Sequence, residues 1–251
     1  MEEVVKYQLN YSQQFPATKN QDKRLLKARK ITSSLQDYYT LDQLGGMTCL
    51  DLGCSVGAIS NRLAESGLKT MGVDIDYPAL LEAKKGQSRA AFLNGNVENN
   101  PFGAESFDLI VCSQVYEHTP DLNKLIAEIY RLLKPKGVCF FSGPNKWALM
   151  EDHYHLPFLS WFPKNISDAY VRVMRAGDEY YEHPVSAQYL RKSMRNFSIL
   201  DLTSRMIKNP GRYSMETEVG FIGAIAKWLP DFAWPLIGVI VPNFNWLLVK
   251  E

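Results

Sequence analysis

Three groups of residues in this 251-residue chain have the types and spacing that chemistry requires. The first is Asp51-Leu52-Gly53-Cys54-Ser55-Val56-Gly57, followed some twenty positions later by Asp74. Glycines at 53 and 57 let backbone approach a ligand that a Cβ would exclude. A carboxylate at Asp74 is suited to accept hydrogen bonds from ribose hydroxyls. A dinucleotide fingerprint fails, because Ser55 and Ala58 stand where its second and third glycines belong. Asp51 would sit badly beside a pyrophosphate. It suits a ligand with a cationic amino group and no phosphate, and S-adenosylmethionine is such a ligand. The second group is His153-Tyr154-His155. Histidine suits general-base work because its unperturbed pKa lies near neutrality. A His-x-His pair also suggests a metal site, with Asp152 or Glu151 as a third ligand, or a structural or substrate-positioning role. The third group is Gln114-Val115-Tyr116-Glu117-His118.

The elements that must position these groups alternate. Met47 to Leu52 is a short apolar run that suits a buried parallel strand, and Ala58 to Ser66 reads as a helix. A second strand ends at Asp74. Pro78 opens the next helix. Phe107 to Ser113 is the fourth strand. Thr119 is read as an N-cap with Pro120 at the first helical position. The helix that follows keeps Leu122, Leu125, Ile126, Ile129, Leu132 and Leu133 on one face. Gly137 to Ser142 is the fifth strand. This alternation predicts a parallel sheet with helices on both faces and a ligand beyond the carboxyl ends of the strands. Asp22 to Tyr39 is read as an earlier helix. Its Lys23, Arg24, Lys27, Arg29 and Lys30 are taken as a solvated face, since no aromatic platform for nucleic acid is interleaved.

The stretch from about Met47 to Asn145 resembles the class I S-adenosylmethionine-dependent methyltransferases that modify small molecules and quinones. Leu50 to Gly57 is similar to their first motif and Gly72-Val73-Asp74-Ile75 to the second. Gly95-Asn96-Val97-Glu98, Pro101-Phe102 and Phe107-Asp108-Leu109-Ile110-Val111 resemble the third block. Leu132 to Gly137 resembles the turn before the fifth strand. The resemblance implies a doubly wound, mostly parallel seven-stranded α/β sheet, a Rossmann-like methyltransferase fold. It implies S-adenosyl-L-methionine as cofactor, held by Asp51, Gly53, Cys54, Ser55, Gly57, Asp74, Ile75, Asn96, Val97, Gln114 and His118. Two departures stand out. Ser55 replaces the usual middle glycine, and Asn96 replaces an aspartate used on the adenine amino group, although its carbonyl can still accept that bond.

After Pro144 the rhythm breaks. Residues 145–184 hold three of the four histidines and many aromatic residues. They read as an insertion that builds the acceptor pocket, with a helix within Lys164 to Arg175. His153 and His155 are the candidates for base or acceptor-orienting group, and Asn145, Tyr154 and Tyr181 for substrate contacts. Tyr180, Tyr181 and His183 read equally as core aromatics. Ser186 to Arg195 is a helix, Phe197 to Thr203 a sixth strand and Asn245 to Lys250 a seventh, antiparallel one. The chain is expected to be one methyltransferase domain: 1–44 a helical extension, 45–145 the cofactor half, 146–251 the acceptor side. A net charge of +1 gives no global pull toward nucleic acid. The start lacks a basic n-region and an apolar h-region, so a cytoplasmic protein is expected. Cys49, Cys54, Cys112 and Cys139 read as small buried hydrophobes. No metal-ligand spacing is convincing, so turnover is expected to survive chelation. Residues 228–244 are apolar, and Pro235 and Pro242 argue against a spanning helix. A lid or a peripheral membrane contact is expected there, with a small hydrophobic or amphiphilic acceptor and O-methylation. The alternatives are a non-methylating enzyme of this fold, cyclase-like, a non-catalytic interaction subunit, and a nucleotide-dependent oxidoreductase.

Overall fold

In a computed structural model, residues 8–14, 20–85, 88–219, 228, 230, 234 and 238–251 are described. Their elements are α1 (Tyr11–Gln14), α2 (Gln21–Gln36), α3 (Leu41–Leu44), β1 (Thr48–Leu52), α4 (Ala58–Glu65), β2 (Lys69–Asp74) and α5 (Tyr77–Ala83). There follow β3 (Ala91–Asn94), β4 (Phe107–Ser113), α6 (Leu122–Leu132), β5 (Leu133–Pro144), α7 (Lys164–Val173), α8 (Ala187–Ser193), β6 (Phe197–Asp201), α9 (Thr203–Lys208) and β7 (Asn243–Lys250). Short 3₁₀ turns cover Tyr116–His118 and Leu159–Trp161.

The strands form one sheet in the order β3-β2-β1-β4-β5-β7-β6. The pairs among β1 to β5 are parallel, and β7 runs antiparallel between β5 and β6. The predicted sheet is therefore observed. Parallel strands are covered on both faces and so must be apolar on both. Accordingly Leu109, Ile110, Val111 and Cys112 of β4 and Val138 to Phe141 of β5 are all buried. Leu125, Ile126, Ile129 and Leu132 seal α6 onto one face of the sheet. Ala28, Ile31 and Leu35 of α2 join Ile59 and Leu63 of α4 on the other. The four cysteines are buried free thiols, as read from the sequence.

Four boundaries differ from expectation. Asp121, not Thr119, caps α6: its carboxylate accepts from the amides of Asn123 and Lys124. Thr119 instead donates its hydroxyl to the Tyr116 carbonyl and closes the 3₁₀ turn. β5 starts at Leu133, because Leu133 pairs with Phe107 before a register shift carries Val138 onto Leu109. β6 stops at Asp201, whose side chain accepts from Thr203 N and starts α9. β7 begins two residues earlier than expected, at Asn243.

No helix among the described residues is long and apolar enough to cross a membrane. Within 228–244, residues 229, 231–233 and 235–237 lie outside the described residues, so the expected lid or membrane contact has no structural description there.

Gly57 has φ +73°, and a Cβ built on it would lie 2.5 Å from Phe92 Cζ and 2.9 Å from Ala83 Cβ. It is a glycine because β3 and α5 press against the start of α4. Packing alone therefore requires a glycine there, whatever the ligand adds. Gly57→Ala combines a left-handed backbone with overpacking and should cost on the order of 2–4 kcal/mol. A urea melt within about 0.5 kcal/mol of the parent would contradict this packing.

Candidate cofactor cradle and buried acid–imidazole cluster

The loop after β1 is pinned to the end of β2. The amides of Gly53 and Cys54 both donate to the Val73 carbonyl, at 2.8 and 3.1 Å. Ser55 N donates to Asp74 Oδ2 at 2.6 Å, and Asp76 N donates to Asp74 Oδ1 at 2.8 Å. Ser55 adopts φ +49°, the left-handed turn that a glycine would take there. Gly53, at φ +70°, leaves no room for a Cβ, which would meet Val115 Cγ2 at 2.6 Å. The turn after β3 joins the same rim. Asn94 Nδ2 donates to the Asp74 and Ile75 carbonyls, and Asn96 Oδ1 accepts from Glu98 N at 2.8 Å. Asp51 is buried, its Oδ2 accepting from Ser60 Oγ at 2.6 Å. Burial pushes Asp51 up to about 7, against the Ser60 bond and the Arg24 charge. Burial also raises Asp74, opposed by the amides of Asp76 and Ser55. Arg24 Nη2 reaches Ser55 Oγ at 3.1 Å, bringing a guanidinium to the two carboxylates. These groups fit S-adenosylmethionine: carboxylates for ammonium and ribose, a guanidinium for the free carboxylate, and an exposed Asn96 turn for the base.

Beyond the ends of β4 and β5 lies a second group. The 3₁₀ turn at Tyr116–His118 is held by Tyr116, whose hydroxyl donates to the Pro144 carbonyl. Its ring lies across Gly143, where a Cβ would approach to 2.4 Å. This turn delivers Glu117, fully buried, with neither carboxylate oxygen hydrogen-bonded among the described residues. The insertion delivers Glu151, His153 and Glu182. Glu151 accepts from His153 N, Tyr154 N and His153 Nδ1, the last at 3.1 Å. Glu182 is 2 % exposed and its oxygens also lack hydrogen bonds among the described residues, with His153 Nδ1 3.8 Å away. His118 Nε2 stands 3.9 Å from Glu117 Oε1, and its ring centroid lies 5.8 Å from that of His153. Burial lifts Glu117 and Glu182 each to about 7. Burial, with the charges of His153 and His183, lowers His118 to about 3. For His153 burial opposes the charged form, yet the Glu151 bond and the carboxylates of Glu182, Glu151 and Glu117 outweigh it. It is raised to about 9 and carries a proton at neutral pH. Residues 8–14 lie over this rim. Gln8 donates to the His118 carbonyl, Tyr11 packs on the His118 ring at 5.1 Å, and Ser12 N bonds Asp76.

Several residues singled out in the sequence fall elsewhere. His155 is exposed at φ +53°, with its amide on the Glu151 carbonyl, so the pair splits and only His153 joins the cluster. Asn145 is 1 % exposed and saturated: Nδ2 donates to the Val239 and Val241 carbonyls, and Oδ1 accepts from Trp147 N. It ties β5 to the segment before β7 and offers a substrate nothing. Tyr154 packs on Tyr180 and gives its hydroxyl to the Glu179 carbonyl, and Tyr181 lies beside Lys164. Cys54 is 2 % exposed and fills the space under Gly72, leaving only its backbone to a ligand. Gln114, at φ +57°, donates to Asn243 Oδ1 at 2.9 Å, and Val97 is half-buried behind Asn96. The sequence reading gave Glu117 and Glu182 no role of their own and set Arg24 and Lys27 on a solvated face. Arg24 and Lys27 precede the buried Ala28, Ile31 and Leu35 at helical spacing, a signal that they share the inward face. Lys30 is likewise inward, 4 % exposed and paired with Glu218 at 3.0 Å. The solvated-face expectation holds for Lys23 and Arg29 only.

Asp51 links stability to pH. Its folded pKa lies above the ordinary carboxylate value, so its stabilising contribution is complete at acid pH and is lost as pH rises through about 7. Asp51→Asn keeps an acceptor for Ser60. At pH 8 its melting temperature should exceed the parent's while its affinity for S-adenosylhomocysteine falls. A lower melting temperature at pH 8 would contradict the burial cost.

Residues 50–141 match the family model described as a methyltransferase domain. The chain is similar to a ubiquinone biosynthesis O-methyltransferase of Pseudomonas fluorescens (strain SBW25), 32 % identical over 111 residues, 41 % of this chain and 47 % of the relative. It is similar to a protein of the same description from Coxiella burnetii (strain Dugway 5J108-111), 35 % identical over 108 residues, 41 % and 46 % of the two chains. The chain thus spans about half the length of the curated relatives it matches. A solved S-adenosylmethionine dependent methyltransferase from Mesorhizobium loti shares the fold, with TM-score 0.57 at 14 % identity, over 86 % of this chain and 96 % of that one. The methyltransferase-domain match covers β1 to β5 with the glycine turn and Asp74, the cofactor side of the sheet.

Proposed function

We propose that this chain methylates a hydroxyl group of a small hydrophobic or amphiphilic acceptor. The observation that carries the reading is the cluster of buried Glu117, Glu151 and Glu182 around the partly exposed His153, on the same rim of the sheet as the cradle. S-adenosylmethionine supplies an electrophilic methyl group; Asp51, Asp74, Asn96 and Arg24 are the side chains assigned to hold it. An oxygen acceptor must lose a proton during transfer, and the acceptor of that proton must sit in a water-poor site. Glu117 has that role: raised to about 7, it is a stronger base than an ordinary carboxylate yet still ionises near neutrality. His153, charged and braced by Glu151, keeps Glu117 and Glu182 from repelling one another. Tyr11 and His118 roof the site and exclude water. The names of the matched relatives support oxygen as the acceptor atom. Exposed Phe158, Trp161, Phe162 and Ile166 of the insertion support an acceptor with an apolar part, or a peripheral lipid contact on that side.

Two expectations test this. Asp74→Ala removes a carboxylate that also braces the glycine turn, so S-adenosylhomocysteine should bind at least about tenfold more weakly in a calorimeter. Unchanged affinity would remove Asp74 from the site. With a panel of hydroxylated aromatic acceptors, Glu117→Gln should lower kcat by about 100-fold or more while cofactor affinity stays near the parent's. His155→Ala should leave turnover unchanged. Full turnover by Glu117→Gln would leave proximity and desolvation as the mechanism.

A further inference from the structure

We propose that His118, His153 and Glu182 form a binding site for one divalent first-row transition-metal ion, in the manganese-to-zinc series. Their ligand atoms all lie within 4.8 Å of one another, although the residues come from the turn after β4 and from both ends of the insertion. A ring of polar side chains is not by itself a site. Here the Glu182 carboxylate is 2 % exposed and the Glu117 carboxylate beside it fully buried, and neither has a hydrogen-bond partner among the described residues. Buried carboxylates without partners are costly unless a cation meets them. The surroundings are those of a metal centre. Glu151 grips His153 Nδ1 at 3.1 Å, the carboxylate–histidine arrangement that orients an imidazole, and the ion would take the place of the Nε2 proton, which leaves on binding.

Two imidazoles and one carboxylate favour a transition metal over magnesium or calcium, which take oxygen ligands. Three protein ligands leave positions open, as in catalytic rather than structural centres. An ion there would polarise an acceptor hydroxyl and lower its pKa, while Glu117, outside the ligand set, takes the proton. That role rests on the methyl-transfer reading; the binding of the ion does not. This replaces the expectation of metal independence. His-x-His spacing pointed to His155 and Asp152, whereas the fold selects His118, thirty-five positions before His153.

The test uses the full chain, stripped with a chelator and passed over a desalting column. It is titrated with Mn²⁺ by calorimetry and with Co²⁺ by visible absorption, and S-adenosylhomocysteine affinity is measured on the same samples. The parent should bind one ion per chain, and Co²⁺ should show the d–d bands of mixed nitrogen and oxygen ligation. His118→Ala, His153→Ala and Glu182→Gln should each weaken Mn²⁺ at least about tenfold. Asp152→Asn should bind as the parent does. Glu182→Gln keeps the side-chain shape, and retained S-adenosylhomocysteine binding certifies its fold. Failure of the parent to bind either ion saturably, or parent-like Mn²⁺ affinity in Glu182→Gln, would overturn the site. Ion binding without methyl transfer would sustain the site and refute the catalytic reading alone.

Discussion

The Asp74 carboxylate holds two turns in one place. One oxygen takes the amide of Ser55 in the loop after β1, and the other takes the amide of Asp76 at the start of α5. The glycine turn owes its shape to this clamp and to the Val73 carbonyl, which takes the amides of Gly53 and Cys54. Ser55 can stand in a left-handed conformation because the bond to Asp74 compensates the strain. The price is a half-buried carboxylate that burial makes harder to ionise, with Arg24 as its nearest cationic support. A ligand with ribose hydroxyls and a cationic amine would relieve that situation.

The same logic governs the other half of the rim. Glu117, Glu151 and Glu182 are driven together by packing that has nothing to do with charge: Tyr116 across Gly143, Tyr154 and Tyr180 in a small core with Leu156, Leu159 and Val171. The result is three buried acids around one charged imidazole. Such a group is tolerated in a protein of marginal stability when it serves a reaction or a ligand. Parallel strands bring it to the cofactor side, because every carboxyl end in β1 to β5 opens on one edge.

The sheet was legible because its signals are local. The strand-glycine-helix sequence at 47–66, the apolar face of residues 122–133 and the apolar run Leu109 to Cys112 of β4 each declare an element by themselves. The caps and registers were less so. Thr119 and Asp121 are both plausible caps in sequence, and only the prior use of Thr119 by Tyr116 decides between them. The turn that brings Asp51, Gly53 and Asp74 together was readable from short spacings. The cluster was not: Glu117, His153 and Glu182 are far apart in the chain, and nothing local marks a glutamate that will be buried. The two histidines part at Glu151, whose carboxylate takes the His153 imidazole, whereas His155, in an αL turn, gives that residue only its amide.

The central claim is that cradle and cluster are two halves of one site. A crystal structure of the full chain with S-adenosylhomocysteine tests it most directly. The ribose should lie on Asp74, the adenine beside Asn96 and Val97, and the sulfur should point toward Glu117 and His153. Ligand density with the sulfur directed away from that cluster, or bound outside the rim of β1, β2 and β4, would contradict the account.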